Sequence, residues 1–269
     1  MSQGPRFPNL SVLVKVGLMT KPHPASAEEE SLKLVEDFVG ALTHALDSLG
    51  DVWPNTLLDN YRLWSSNHLQ HAVAGFAFLR RRGLVDSSKF LVRPAIEMMI
   101  RMEAARQHTD LFYRIAHAEH RQDKHLLRSA DQHQLQAYDE AQSEKIWEQF
   151  SEAFTKEFPI IPIPNVDERL TIEYLAEKAE LKPFYDSHYR IYFRYTHGAL
   201  HASTGNLDKA TDPEDNRIMA ACAVGALDAL ISLGAESSNR DDLFRRFQRL
   251  FAIPLKVEVI QAASEHPQK

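Results

Sequence analysis

The feature that most constrains this chain is the length over which its apolar residues keep a helical period. Val35, Phe38, Val39, Leu42, Leu46 and Leu49 recur at three- and four-residue intervals. That spacing lines one face of an α-helix and does not fit a strand, whose side chains alternate with a period of two. Leu58, Tyr61, Leu69, Val73, Phe76 and Leu79 form a second stripe of the same kind. The breaks fall where helices stop for chemical reasons. Pro54 and the cluster Pro159, Pro162 and Pro164 lack an amide donor, and Gly83 accepts a left-handed turn.

These segments predict an all-α fold, an irregular multi-helix bundle with a mostly extended N-terminal arm over residues 1–25. A single helical domain is expected over 26–269, because no long Gly/Ser or acidic linker divides the periodicity. The first helix is expected from Ser26, and the second from just after Pro54 to about Gly83. The third runs from about Ser87 to Gln107 with Pro94 in its early part. A long polar helical region with a bend is expected from Thr109 to Phe158. The proline-rich stretch then leads to a helix capped near Thr171, followed by one from about Pro183 to Ser203. A close-packing, Ala-rich helix is announced by Thr211, Pro213 and Glu214, and two shorter C-terminal helices are expected at 241–251 and 255–263.

The chain has 269 residues, enough to bury a core without disulfides or a structural metal. Its formal net charge of −6 opposes any broad DNA-, RNA- or membrane-binding surface, since those depend on dense positive charge. The runs Arg80, Arg81, Arg82 and Arg245, Arg246, Arg249 read as solvated helix surface. Cys222 is the only cysteine and sits among small residues, as a buried side chain does rather than a nucleophile. No early stretch has the form of a signal peptide and no apolar run is long enough to span a bilayer, so the expected location is cytoplasmic. The phosphate loop, the dinucleotide-binding glycine fingerprint, the zinc-protease helix and the serine-hydrolase elbow are all absent.

Two polar lines stand out on otherwise apolar helices. Arg93 and Glu97 are one helical turn apart, with Arg101 one turn further, on a helix apolar on nearly every other side. They form either a buried ion pair that fixes packing or one wall of a ligand pocket. The second line lies between Tyr189 and Ser203. At about 100° per residue, Asp186, Arg190, Arg194, His197 and His201 share an arc of roughly 80°. Such a face suits a phosphate held by arginine while a histidine moves a proton near neutral pH. It equally suits a bound carboxylate or a structural ion pair. Tyr189, Tyr192, Phe193 and Tyr195 surround it with rings. On this reading Arg194, His201 and His197 are the candidate catalytic residues, and Arg190, Arg93, Glu97 and Tyr195 the candidate anion-binding residues. The two lines are expected to approach one another. His117, His120 and His125 read as surface histidines, and neither a metal nor a cofactor is assigned.

The ordered pair formed by Leu91-Val92-Arg93-Pro94-Ala95-Ile96-Glu97 and the Tyr192 to Ser203 run, with Thr196, His201 and Ser203, resembles an uncharacterised bacterial helical family, the domain-of-unknown-function family numbered 5677. The similar region runs from about His68 to Ser203. The resemblance implies a helical fold with a pocket. The Arg-to-His spacing is also similar to that of HEPN domains, because six residues separate Arg194 from His201 and six separate Arg190 from His197. That similarity implies a homodimer whose opposed helices meet around single-stranded RNA. Arg194 would then stabilise charge on the phosphoryl group, and His201 would transfer the proton as the neighbouring ribose hydroxyl attacks, without a metal. Tyr195 departs from the pattern, since active members commonly carry a small polar residue there. The other reading is a regulatory bundle that binds a small anion, a nucleotide or a protein partner without chemistry.

Overall fold

A computed structural model of the chain describes residues 26–50, 54–132, 139–166, 170–190, 192 and 208–251. Every regular element among these residues is helical, and the chain is all-α. The helices are α1 (Ser26–Leu49), α2 (Leu57–Arg81), α3 (Val85–Gln107), α4 (Thr109–Gln132), α5 (Glu140–Glu157), α6 (Ile172–Lys178), α7 (Lys182–Phe184), α8 (Asp208–Ser232) and α9 (Arg240–Phe251). The arm at 1–25, the expected helix at 255–263 and residues 193–207 lie outside the described residues. Arg194, Tyr195, His197 and His201 are therefore among those not described.

Local chemistry accounts for the ends of these helices. Thr56 precedes α2 and its Oγ1 accepts the Asp59 amide at 3.0 Å. Asp139 caps α5 by accepting from Gln142, and Thr171 caps α6 by accepting from Tyr174, both at 3.1 Å. Each bond satisfies one amide that the first helical turn would leave unpaired. Gly83 closes α2 at φ +71°, where a Cβ would be strained.

One expectation is refined and one is revised. The polar region after Thr109 comprises two helices, α4 and α5. They are clasped by rings: Trp147 lies against Tyr113 at 5.1 Å, and Phe154 lies 4.8 Å from the same tyrosine. Pro94 sits in the interior of α3 and not near its start. It faces solvent, so the carbonyl that loses its helical donor is within reach of water.

The core forms around α8. Its residues 215–227 are buried without interruption, and Ala220, Ala221, Ala223 and Ala226 let α1, α2 and α3 approach its backbone closely. A helix buried on all sides has no polar face, which is why it reads as a dense apolar run. The α2 and α3 pair packs along its length, α9 covers α1, and α3 also touches α4 and α6. In this way α3 lies between the core and the outer segment 170–190, and its polar line meets that segment. Among the described residues, no helix is long and apolar enough to cross a membrane.

Candidate functional site

The segment after α6 turns back sharply toward α3. Glu180 adopts a left-handed conformation, φ +57°, although it is not glycine, and the Leu181 amide reaches the Ala176 carbonyl at 2.7 Å. The chain then makes one turn of α7 and passes into a π-helical turn at Tyr185–Tyr189. Such a turn accommodates an extra residue and re-aims the side chains on either side of it. Asp186 and Arg190 remain neighbours across it, 3.6 Å apart.

The π turn delivers Tyr189 to the Arg93 and Glu97 pair. The Tyr189 hydroxyl donates to Glu97 Oε1 at 2.6 Å, while Arg93 Nε donates to the same oxygen at 3.0 Å. Arg93 Nη2 donates to the Tyr189 oxygen at 3.0 Å. Burial, followed by the hydrogen bond and charge of Glu97, pushes the Tyr189 hydroxyl up to about 12, so it carries its proton at neutral pH. Burial alone would lower the Arg93 guanidinium. The Tyr189 hydroxyl and Glu97 outweigh it and raise that group instead. The pair is not sealed, since the Arg93 and Glu97 side chains are 18% and 25% exposed. Arg101 continues the line away from this point, donating to Glu119 on α4 at 3.0 Å.

Arg93, Glu97, Tyr185, Tyr189 and Arg190 line one open cleft of about 540 Å³, to which Thr171 and Glu173 also contribute. Charges alternate around it. Lys182 holds Asp186 at 2.6 Å and Glu173 at 3.0 Å. Arg190 makes only longer contacts with the same carboxylates, 3.4 Å to Glu173 and 3.6 Å to Asp186, and its side chain is 59% exposed. Because Lys182 satisfies these acids at short range, Arg190 can exchange its loose contacts for an anion at little cost.

A set of buried polar side chains lies outside the cleft lining. Asp215, fully buried on α8, accepts from Arg80 of α2 and from the Tyr192 hydroxyl. Burial and then the Asp215 charge hold that hydroxyl well above its ordinary value. Lys89, one turn before Arg93, is also completely buried. His188 packs within 3.5 Å of Glu214 without forming a hydrogen bond, and Arg217 lies 3.6 Å from the same carboxylate. Proximity to Glu214 would favour an imidazolium. Burial and the Arg217 charge prevail and push His188 down to about 4.

The structure thus brings together Arg93, Glu97 and Arg190 of the sequence-predicted residues. Sequence reasoning assigns no role to Glu173 or Lys182 and places Tyr189 only as a surrounding ring. Arg80 corrects the reading of its run as surface, because Arg80 turns inward while Arg81 pairs with Glu36 and Glu29 in solvent. A signal for Lys89 did exist, since it extends the Arg93 and Glu97 line by one turn. His117 and His120 pack on Trp147 at 4.9 and 5.4 Å, and no group of three or more metal-ligating side chains forms among the described residues.

A model of a family of unknown function, DUF5677, matches residues 68–216. No curated protein and no solved structure matches the chain. The matched span takes in the cleft, from Arg93 to Arg190, together with the buried Asp215. With more than half of its length inside that span, the chain belongs to the DUF5677 family.

Proposed function

We propose that the cleft between α3 and the π turn binds a small anionic ligand, with Arg190 as the cation at its rim and Arg93 as the fixed cation in its wall. One observation carries this reading. Residues from two segments far apart in sequence meet in an open cleft, where one arginine is held by Glu97 and Tyr189 and the other has ion pairs of only 3.4 and 3.6 Å and lies over the Tyr185 ring. A guanidinium oriented in advance loses little entropy on binding, and one that is loosely paired is available to a phosphate or carboxylate. The test is calorimetric titration of the purified chain with inorganic phosphate, simple carboxylates and nucleotides. Arg190→Gln is expected to weaken every anion that binds by tenfold or more while leaving the melting temperature near the parent's. Unchanged affinity in that variant would place binding elsewhere.

A second reading is metal-independent cleavage of single-stranded RNA by a homodimer, with Arg194 and His201 catalytic and His197 assisting. It draws support from the position of Arg190 at the rim of the cleft, since the Arg194 to His201 run begins four residues later in the sequence. His201 would move a proton at the attacking ribose hydroxyl, and Arg194 would stabilise the phosphoryl charge. Labelled RNA incubated with chelator distinguishes this reading. Cleavage lost in both Arg194→Ala and His201→Ala, with folding intact, supports it. Equal cleavage by all three proteins refutes it.

A further inference from the structure

The Glu97 carboxylate is used on only one side. Its Oε1 accepts both the Tyr189 hydroxyl at 2.6 Å and Arg93 Nε at 3.0 Å, and no hydrogen bond among the described residues engages Oε2. Glu97 lines the cleft, and its side chain is 25% exposed. Two donors on one oxygen fix the plane of the carboxylate. The other oxygen is left as an oriented acceptor on the wall of the cleft.

An acceptor of this kind repels a bare anion and attracts an N–H or O–H. The opposite preference is found at Arg190, on the segment that forms the facing wall. A ligand that satisfies both ends carries an anionic group and, separated from it, a hydrogen-bond donor. The cleft of about 540 Å³ falls within the usual range for sites that take organic ligands, and is far larger than one phosphate needs. Building on the anion-binding reading above, we infer that Glu97 is a specificity-determining residue that selects a mononucleotide over inorganic phosphate. The phosphate pairs with Arg190, and a base N–H or ribose O–H donates to Glu97 Oε2.

This role needs a carboxylate. Glutamine in its place keeps an acceptor for Tyr189 and Arg93 on one atom and presents an N–H₂ donor to the cleft on the other. The ligand's donor then meets a donor, and a mismatched donor pair costs more than the loss of one hydrogen bond.

The experiment is calorimetric titration of the parent, Glu97→Gln and Arg190→Gln chains with inorganic phosphate and with adenosine and guanosine monophosphates. The parent is expected to prefer one nucleotide over phosphate by tenfold or more. Glu97→Gln is expected to reduce that preference to within about threefold without weakening phosphate, and Arg190→Gln is expected to weaken both ligands. A Glu97→Gln chain that keeps the full nucleotide preference overturns the inference while leaving the anion site standing. Failure of all three ligands on the parent overturns both. The ligand can also be changed on the unaltered protein, which guards against a variant that does not fold. Dimethylating the base amino group, which removes both of its N–H donors, or removing the ribose hydroxyls should cost tenfold in one of the two series. Equal affinity for all the analogues refutes a donor read by Glu97.

Discussion

His188 offers a direct measure of how the buried polar side chains are held. Its imidazole ordinarily titrates at 6.5 and is pushed down to about 4, first by burial and then by the charge of Arg217. Above the ordinary value both folded and unfolded chains carry a neutral ring, so this contribution to stability is fully present. Below it the unfolded chain takes up a proton that the folded chain refuses, and stability is lost as the pH falls toward the folded value. Integrated down to about pH 4.5, that loss is about 2.5 kcal/mol. Glu214 works in the opposite sense. Burial holds its carboxyl above the ordinary value, so the folded chain gains a proton more readily there. The parent's acid sensitivity alone therefore mixes two effects, and the readout must be a difference. Urea unfolding followed by circular dichroism, at about pH 7.5 and pH 4.5 and constant ionic strength, gives the stability of the parent and of His188→Gln. Between the two conditions the parent is expected to lose about 2.5 kcal/mol more than the variant. A difference under about 0.5 kcal/mol would refute a ring buried in its neutral form. A parent that loses less than the variant would show that His188 and Glu214 form an ion pair instead.

Asp215 joins α8 to Arg80 and Tyr192, and all three side chains are buried. Asp215→Ala leaves the Arg80 charge without that carboxylate and is expected to cost roughly 3 to 5 kcal/mol in chemical unfolding; a cost below about 1 kcal/mol would show that the network adds nothing beyond a surface pair. Cys222 is fully buried, and burial raises its thiol far above the ordinary range. A thiol-specific chromogenic reagent is expected to leave it unmodified in the native chain and to react stoichiometrically in denaturant, and rapid native labelling would contradict that placement.

Much of the fold follows from local rules. Apolar residues at helical spacing mark α1 and α2, Gly83 marks the end of α2, Thr171 marks the start of α6, and the Ala-rich run marks the central α8, because periodicity, capping and small-residue packing each act within a few residues. The Arg93 and Glu97 line was legible for the same reason, since polar residues one turn apart on an apolar helix are conspicuous in any order of packing. The alternatives left open for that line were a sealed ion pair and a pocket wall, and only tertiary structure could choose between them. Exposure depends on which segment covers a helix, and that segment, with Tyr189, arrives more than ninety residues later in the chain. No capping residue marks the π turn that carries Tyr189 to Glu97. Arg80 makes the same point from within its own run. Three consecutive arginines look alike in sequence, yet one points to Asp215 on α8 and another to solvent-exposed acids on α1, because neighbouring positions on a helix differ by about 100° and the position of the core decides which of them is inside.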